Sequence, residues 1–144
     1  NQNVSFWIPV DPVGLESSPK FMKGTHTGPW YMPRTFMDKE AKWFPEGTLE
    51  EIPSSFEEDQ ILQWELNPGD AVAFHMLTVH TAAGVPADKP RRRAWSVRLI
   101  GDDIVHAPRH WKTSPDFPEL TIEEGEPMST LSSDFPLLWP ENEI

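Results

Sequence analysis

Pro68-Gly69-Asp70-Ala71-Val72-Ala73-Phe74-His75-Met76-Leu77-Thr78-Val79-His80 is the stretch on which the reading of this chain turns. It opens inside a turn, Asn67-Pro68-Gly69-Asp70, where proline presets φ at the second position and glycine accepts a positive φ at the third. A short apolar strand follows, Ala71 to Phe74, with His80 beyond it at the open end. Twelve residues after His80 comes Arg92, inside Arg91-Arg92-Arg93-Ala94. An imidazole at a strand end can ligate a metal. A guanidinium on the next strand can hold a carboxylate through two parallel charge-assisted hydrogen bonds.

Outward from that stretch the pattern is all-β. Sixteen prolines interrupt any long helical period, while short apolar runs recur between turn signals. The predicted strands are Val4 to Val10, Ile61 to Leu66, Ala71 to Phe74 and Arg92 to Ile100. Asp38 to Phe56, with Trp43, Phe44 and several acids, reads as a long excursion holding at most one short helix. A chain of 144 residues supports one domain, 1–144. Residues 104–144 are expected to form a Pro-rich tail packed on it, ending in Phe135-Pro136-Leu137-Leu138-Trp139-Pro140. The first residue is Asn1 rather than Met, and Val4-Ser5-Phe6-Trp7-Ile8 is already a strand pattern, so the domain is expected to be N-terminally truncated.

Composition narrows the function classes. Seven Trp and eight Phe supply burial that disordered chains lack, so the chain folds. A net charge of −11 repels phosphate backbones and anionic lipid, which argues against nucleic-acid and membrane-surface partners. No apolar run approaches the ~18 residues of a spanning helix, and no signal-peptide layout is present, so a soluble, cytoplasmic protein is expected. Without cysteine, any metal must be held by His, Asp or Glu.

Together, the Pro-Gly-Asp turn, apolar strand, His80, loop and Arg-Arg-Ala resemble the distal half of a phytanoyl-CoA dioxygenase site. Ser5-Phe6-Trp7-Ile8-Pro9-Val10 is similar to that family's strand after its first metal motif, Lys23-Gly24-Thr25-His26 to its Gly-Ser-His turn, and Val97 to Asp103 to its late strand. The resemblance implies a partial double-stranded β-helix, the cupin-like jelly roll, with long loops and short helices at most. It further implies iron(II) and 2-oxoglutarate as cofactors, His80 as a metal ligand, Arg92 as the 2-oxoglutarate-binding residue, and Trp7 at the mouth of a substrate pocket. Arg91 and Arg93 are register alternatives to Arg92, because a one-residue slip exchanges the two faces of a strand.

The family's His-x-Asp motif does not occur at any of the five histidines. One of three protein ligands is therefore expected in this segment, with no tightly bound metal and no turnover by the segment alone. Other histidines have ordinary roles: His75, five residues before His80, falls on the opposite face of a regular strand; His26 bonds backbone in its turn; His106 and His110 lie in the tail. Asp102 and Asp103 after Gly101 read as a turn rather than a carboxylate pair. The implied activity is hydroxylation of a small organic substrate. Its alternatives are a halogenase relative and a non-catalytic jelly-roll module that binds a small molecule. Unpaired strand edges in a truncated jelly roll would recruit a second copy, so a homodimer or larger homo-oligomer is expected, joined near Val4 to Val10.

Overall fold

A computed structural model describes residues 3–34, 39–40, 43–87, 91–108, 117 and 119–138. Among these, six strands form two three-stranded sheets. They are β1 (Asn3–Pro9), β2 (Pro19–Met22), β3 (Ile61–Leu62), β4 (Val72–Phe74), β5 (His80–Ala82) and β6 (Ala94–Ile100). One sheet has the order β4-β1-β6 and the other β3-β2-β5. The helices described are single 3-10 turns at Thr25–Thr27, Glu58–Gln60 and Met128–Thr130. The protein is mainly β, as its prolines and short apolar runs require, and no described helix is long and apolar enough to cross a membrane.

The chain divides into two compact units, Val4–Leu99 and Asn1–Asn3 with Ile100–Ile144. In the first, β1 runs antiparallel to β4 with Ser5 opposite Phe74 and Trp7 opposite Val72. Strand β2 is antiparallel to both of its neighbours, and Phe21 lies opposite Leu62 on one side and His80 on the other. Val13, Phe21, Leu66 and Val72 are buried together, with Trp7 and Phe74 partly buried against them. Each such side chain stabilises the fold by about 1.5–3 kcal/mol relative to exposure. Asn67-Pro68-Gly69-Asp70 forms the expected turn: the Asp70 N–H donates to the Asn67 carbonyl at 2.9 Å, and Gly69 has φ +106°.

Four expectations change. The strand leading to His80 is not continuous, because the Thr78 N–H donates to the His75 carbonyl at 2.9 Å and closes a turn between β4 and β5. These strands belong to different sheets, so the turn carries the chain from one to the other and the opposite-face argument for His75 does not apply. The run Ile61 to Leu66 is a strand only at Ile61–Leu62; Leu66 instead pairs with Val13 through reciprocal backbone bonds of 2.8 and 2.9 Å. Strand β6 begins at Ala94, leaving Arg92 and Arg93 before it. Finally, β1 has neighbours on both sides, so among the described residues the edge strands of its sheet are β4 and β6 rather than Val4 to Val10.

No helix forms among the described residues of the excursion, of which Asp38, Ala41 and Lys42 lie outside the description. Arg34 organises it by bonding Glu46 at 2.7 Å and Glu51 at 2.6 Å, with Nη1 donating to the Lys39 carbonyl at 2.9 Å. In the second unit, Val105 bridges Pro127, Met128 is buried, and the Phe117 and Phe135 rings lie 5.2 Å apart. Its Pro-rich chain thus has internal order. His110, Trp139 and Pro140 lie outside the described residues.

Candidate functional site

His80 opens β5 opposite Phe21 and is exposed. Its ring stacks on Phe21, with centroids 5.9 Å apart and planes at 21°, and tilts against Phe74 at 4.9 Å. The Phe21 and Phe74 rings are themselves 4.9 Å apart, so two core aromatics form a platform under the imidazole. Ring nitrogen Nδ1 lies 2.8 Å from the Thr78 carbonyl oxygen. A carbonyl only accepts, so this bond requires the proton on Nδ1, and the neutral ring then presents a lone pair at Nε2. That is the state of a metal-ligating histidine whose second nitrogen is tied to backbone.

The three arginines divide their roles. Arg93 meets Asp11 through Nη2 at 2.8 Å and Nε at 3.0 Å, and its backbone N–H donates to the same carboxylate at 2.9 Å. Arg91 approaches Asp11 at 3.7 Å. The side-chain bond from Arg93 holds the Asp11 carboxyl down to about 2, and the Asp11 bond raises Arg93 in turn. Arg92 is half-buried and points elsewhere: its Nη1 donates to the Ser17 carbonyl and, at 2.8 Å, to the Ala83 carbonyl. Among the described residues the hydrogen bonds of its side chain run through Nη1. Ala83 directly follows β5, so Arg92 is fastened to the end of the strand that begins with His80.

Trp7, expected at a pocket mouth, is partly buried against the core cluster. His26 and His75 come together, ring centroids 5.8 Å apart, and the Leu77 N–H donates to Nδ1 of His75 at 3.2 Å. His106 lies in the other unit, where its backbone N–H donates to the Glu126 carbonyl at 2.8 Å. Asp102 and Asp103 stand in a turn closed by the Ile104 N–H on the Gly101 carbonyl. Among the described residues no three His, Asp or Glu side chains gather as a complete metal-binding group. The donor chemistry of His80 suits one coordination position of an iron(II) centre, and Arg92 suits a carboxylate. Sequence reasoning missed Asp11 and Phe21, and marked Thr25 only as part of the turn Lys23-Gly24-Thr25-His26, where Gly24 takes φ +78° and Thr25 is buried.

Two small antiparallel sheets, short 3-10 turns, and a histidine at a strand start beside an arginine-bearing loop define an all-β, cupin-like protein. The family model described as Phytanoyl-CoA dioxygenase (PhyH) matches residues 1–94, about two thirds of the chain, and includes the turn at Asn67, His80 and all three arginines. The chain belongs to this family of dioxygenases. No curated protein and no solved structure matches it.

Proposed function

We propose that the protein serves as a non-haem iron(II), 2-oxoglutarate-dependent oxygenase that hydroxylates a small organic substrate, with His80 as one iron ligand and Arg92 holding 2-oxoglutarate. The observation that carries this reading is the exposed His80 imidazole, whose Nδ1 is bonded to the Thr78 carbonyl so that Nε2 carries the lone pair, in a chain of the phytanoyl-CoA dioxygenase family. Bound iron would supply oxygen activation coupled to the oxidative decarboxylation of 2-oxoglutarate to succinate and carbon dioxide. The described residues position and neutralise. Phe21 and Phe74 restrict the ring of His80 and keep one of its sides dry.

Arg92 is favoured over its neighbours by partner choice. Arg93 already spends its fork on Asp11, so freeing it would cost a charge-assisted pair. Arg91 lines a groove together with Asp11, Glu16 and Glu65, where the field opposes a dicarboxylate. Arg92 has two backbone acceptors on one nitrogen, which aim the rest of the guanidinium at low entropic cost.

The test is succinate formation from 2-oxoglutarate by the native gene product supplied with iron(II) and oxygen. His80→Ala should abolish it and His106→Ala should leave it intact. Wild-type succinate output from the His80→Ala protein would defeat the assignment.

A further inference from the structure

We propose that Thr25 is a positioning residue for His80, acting through the peptide group between Thr78 and Val79; this rests on the reading of His80 as an iron ligand. Thr25 is only 8% exposed and sits in the turn after β2, beyond Gly24 at φ +78°. Its hydroxyl donates to the Met22 carbonyl at 2.8 Å and accepts the Val79 N–H at 2.9 Å. The carbonyl of that same peptide group belongs to Thr78, and it accepts the Nδ1–H of His80 at 2.8 Å. A single line of hydrogen bonds therefore runs from the imidazole through one peptide plane and the threonine hydroxyl to the Met22 carbonyl.

The polarity of this line is fixed at both ends by carbonyls, which only accept. Thr25 must donate to Met22, so its oxygen lone pairs are what Val79 meets; Thr78 must accept, so Nδ1 must hold the proton. Each bond polarises the next in the same sense, which strengthens the acceptor at Thr78 and makes Nε2 a better donor to a metal. The Val79 carbonyl is also held, by the Met22 N–H at 2.9 Å, so Val79 is clamped on both sides. This clamp stands where the chain has just crossed between sheets, a place with no long strand to hold the peptide orientation. Without the hydroxyl, the half-buried Val79 N–H loses its acceptor and the peptide plane can rotate, taking the Thr78 carbonyl away from the ring.

Three variants separate this role from simple packing. Thr25→Ser keeps the hydroxyl, Thr25→Val keeps the shape, and His80→Ala removes the ligand. In the isolated chain with its histidines neutral, long-range nitrogen–proton NMR should show His80 with its proton on Nδ1 and a slowly exchanging Val79 amide. Thr25→Ser should preserve both, whereas Thr25→Val should mix the tautomers and speed Val79 exchange at least tenfold. In the native gene product, iron(II) affinity should fall roughly tenfold in Thr25→Val and recover in Thr25→Ser, the low end of what outer-shell partners of metal ligands contribute. An Nε2–H tautomer in the unmodified chain overturns the proposal, and this holds even if Thr25→Val does not fold. So does a folded Thr25→Val that keeps the Nδ1–H form, or a Thr25→Ser that behaves like Thr25→Val. Iron binding that survives His80→Ala instead overturns the ligand reading, and the tautomer measurement then decides Thr25's grip on the ring by itself.

Discussion

Replacing Phe21 by Ala should remove a large share of the stability of the unit Val4–Leu99. The side chain is only 4% exposed, lies opposite both Leu62 and His80, and meets the rings of Phe74, His80 and Trp64 at 4.9, 5.9 and 6.3 Å. Burying a phenylalanine hides on the order of 150–200 Å² of apolar surface. At about 25 cal/mol per Å² that amounts to ~4–5 kcal/mol as an upper estimate. Phe→Ala changes in well-packed cores cost about 3–5 kcal/mol, cavity included. Since a whole domain is stable by only about 5–15 kcal/mol, that loss is a fifth or more of the total. Urea titration followed by circular dichroism measures the change, with Phe21→Leu as a control expected to lose less than half as much. A loss below about 1 kcal/mol in Phe21→Ala would show that the aromatic platform under His80 is not part of a packed core.

Acid should weaken the Asp11–Arg93 pair in a defined window: because the carboxyl is lowered from 3.8 to about 2 in the folded chain, its contribution is complete above about pH 5 and is lost as pH falls through about 2. The difference in urea midpoint between wild type and Asp11→Asn should shrink over that window, and a difference constant from pH 5 to pH 2 would contradict the pairing. Arg92→Lys in the native gene product should raise the 2-oxoglutarate requirement roughly tenfold, because a point charge replaces a fork; an unchanged requirement, with loss in Arg91→Lys instead, would move the role. Association of the 144-residue chain is expected through β6, an edge strand among the described residues, where Trp95 is 64% exposed. Light scattering after size exclusion should give a dimer that Trp95→Lys converts to monomer, and a wild-type monomer with little dye binding would refute it.

Local signals were legible where the chain obeys local rules. The turn at Asn67 to Asp70 follows from proline and glycine alone, and β1 and β6 follow from short apolar runs bounded by turn signals. Strand β2 escaped notice because it starts on Pro19 and carries Lys20 outward, so four residues offer little alternation to read. The break between β4 and β5 escaped for a different reason. Met76, Leu77 and Val79 extend the apolar run, yet Phe74 is drawn to the core beside β1 while His80 pairs with β2, and no sequence period records that two sheets compete for one segment. The candidate site shows the same division. His80 and the arginine cluster could be marked from their flanks, but the pairing of Arg93 with Asp11, 82 residues away, has no sequence signature. Thr25, 54 residues from the amide it holds, was hidden in the same way.

The most direct measurement is the visible charge-transfer absorption that iron(II) acquires when 2-oxoglutarate chelates it, recorded without oxygen on the native gene product. The band is expected in wild type and in His75→Ala, is lost in His80→Ala, and appears only at higher 2-oxoglutarate concentrations in Arg92→Lys. A full band in His80→Ala at the wild-type iron concentration would contradict the claim that this imidazole ligates the metal.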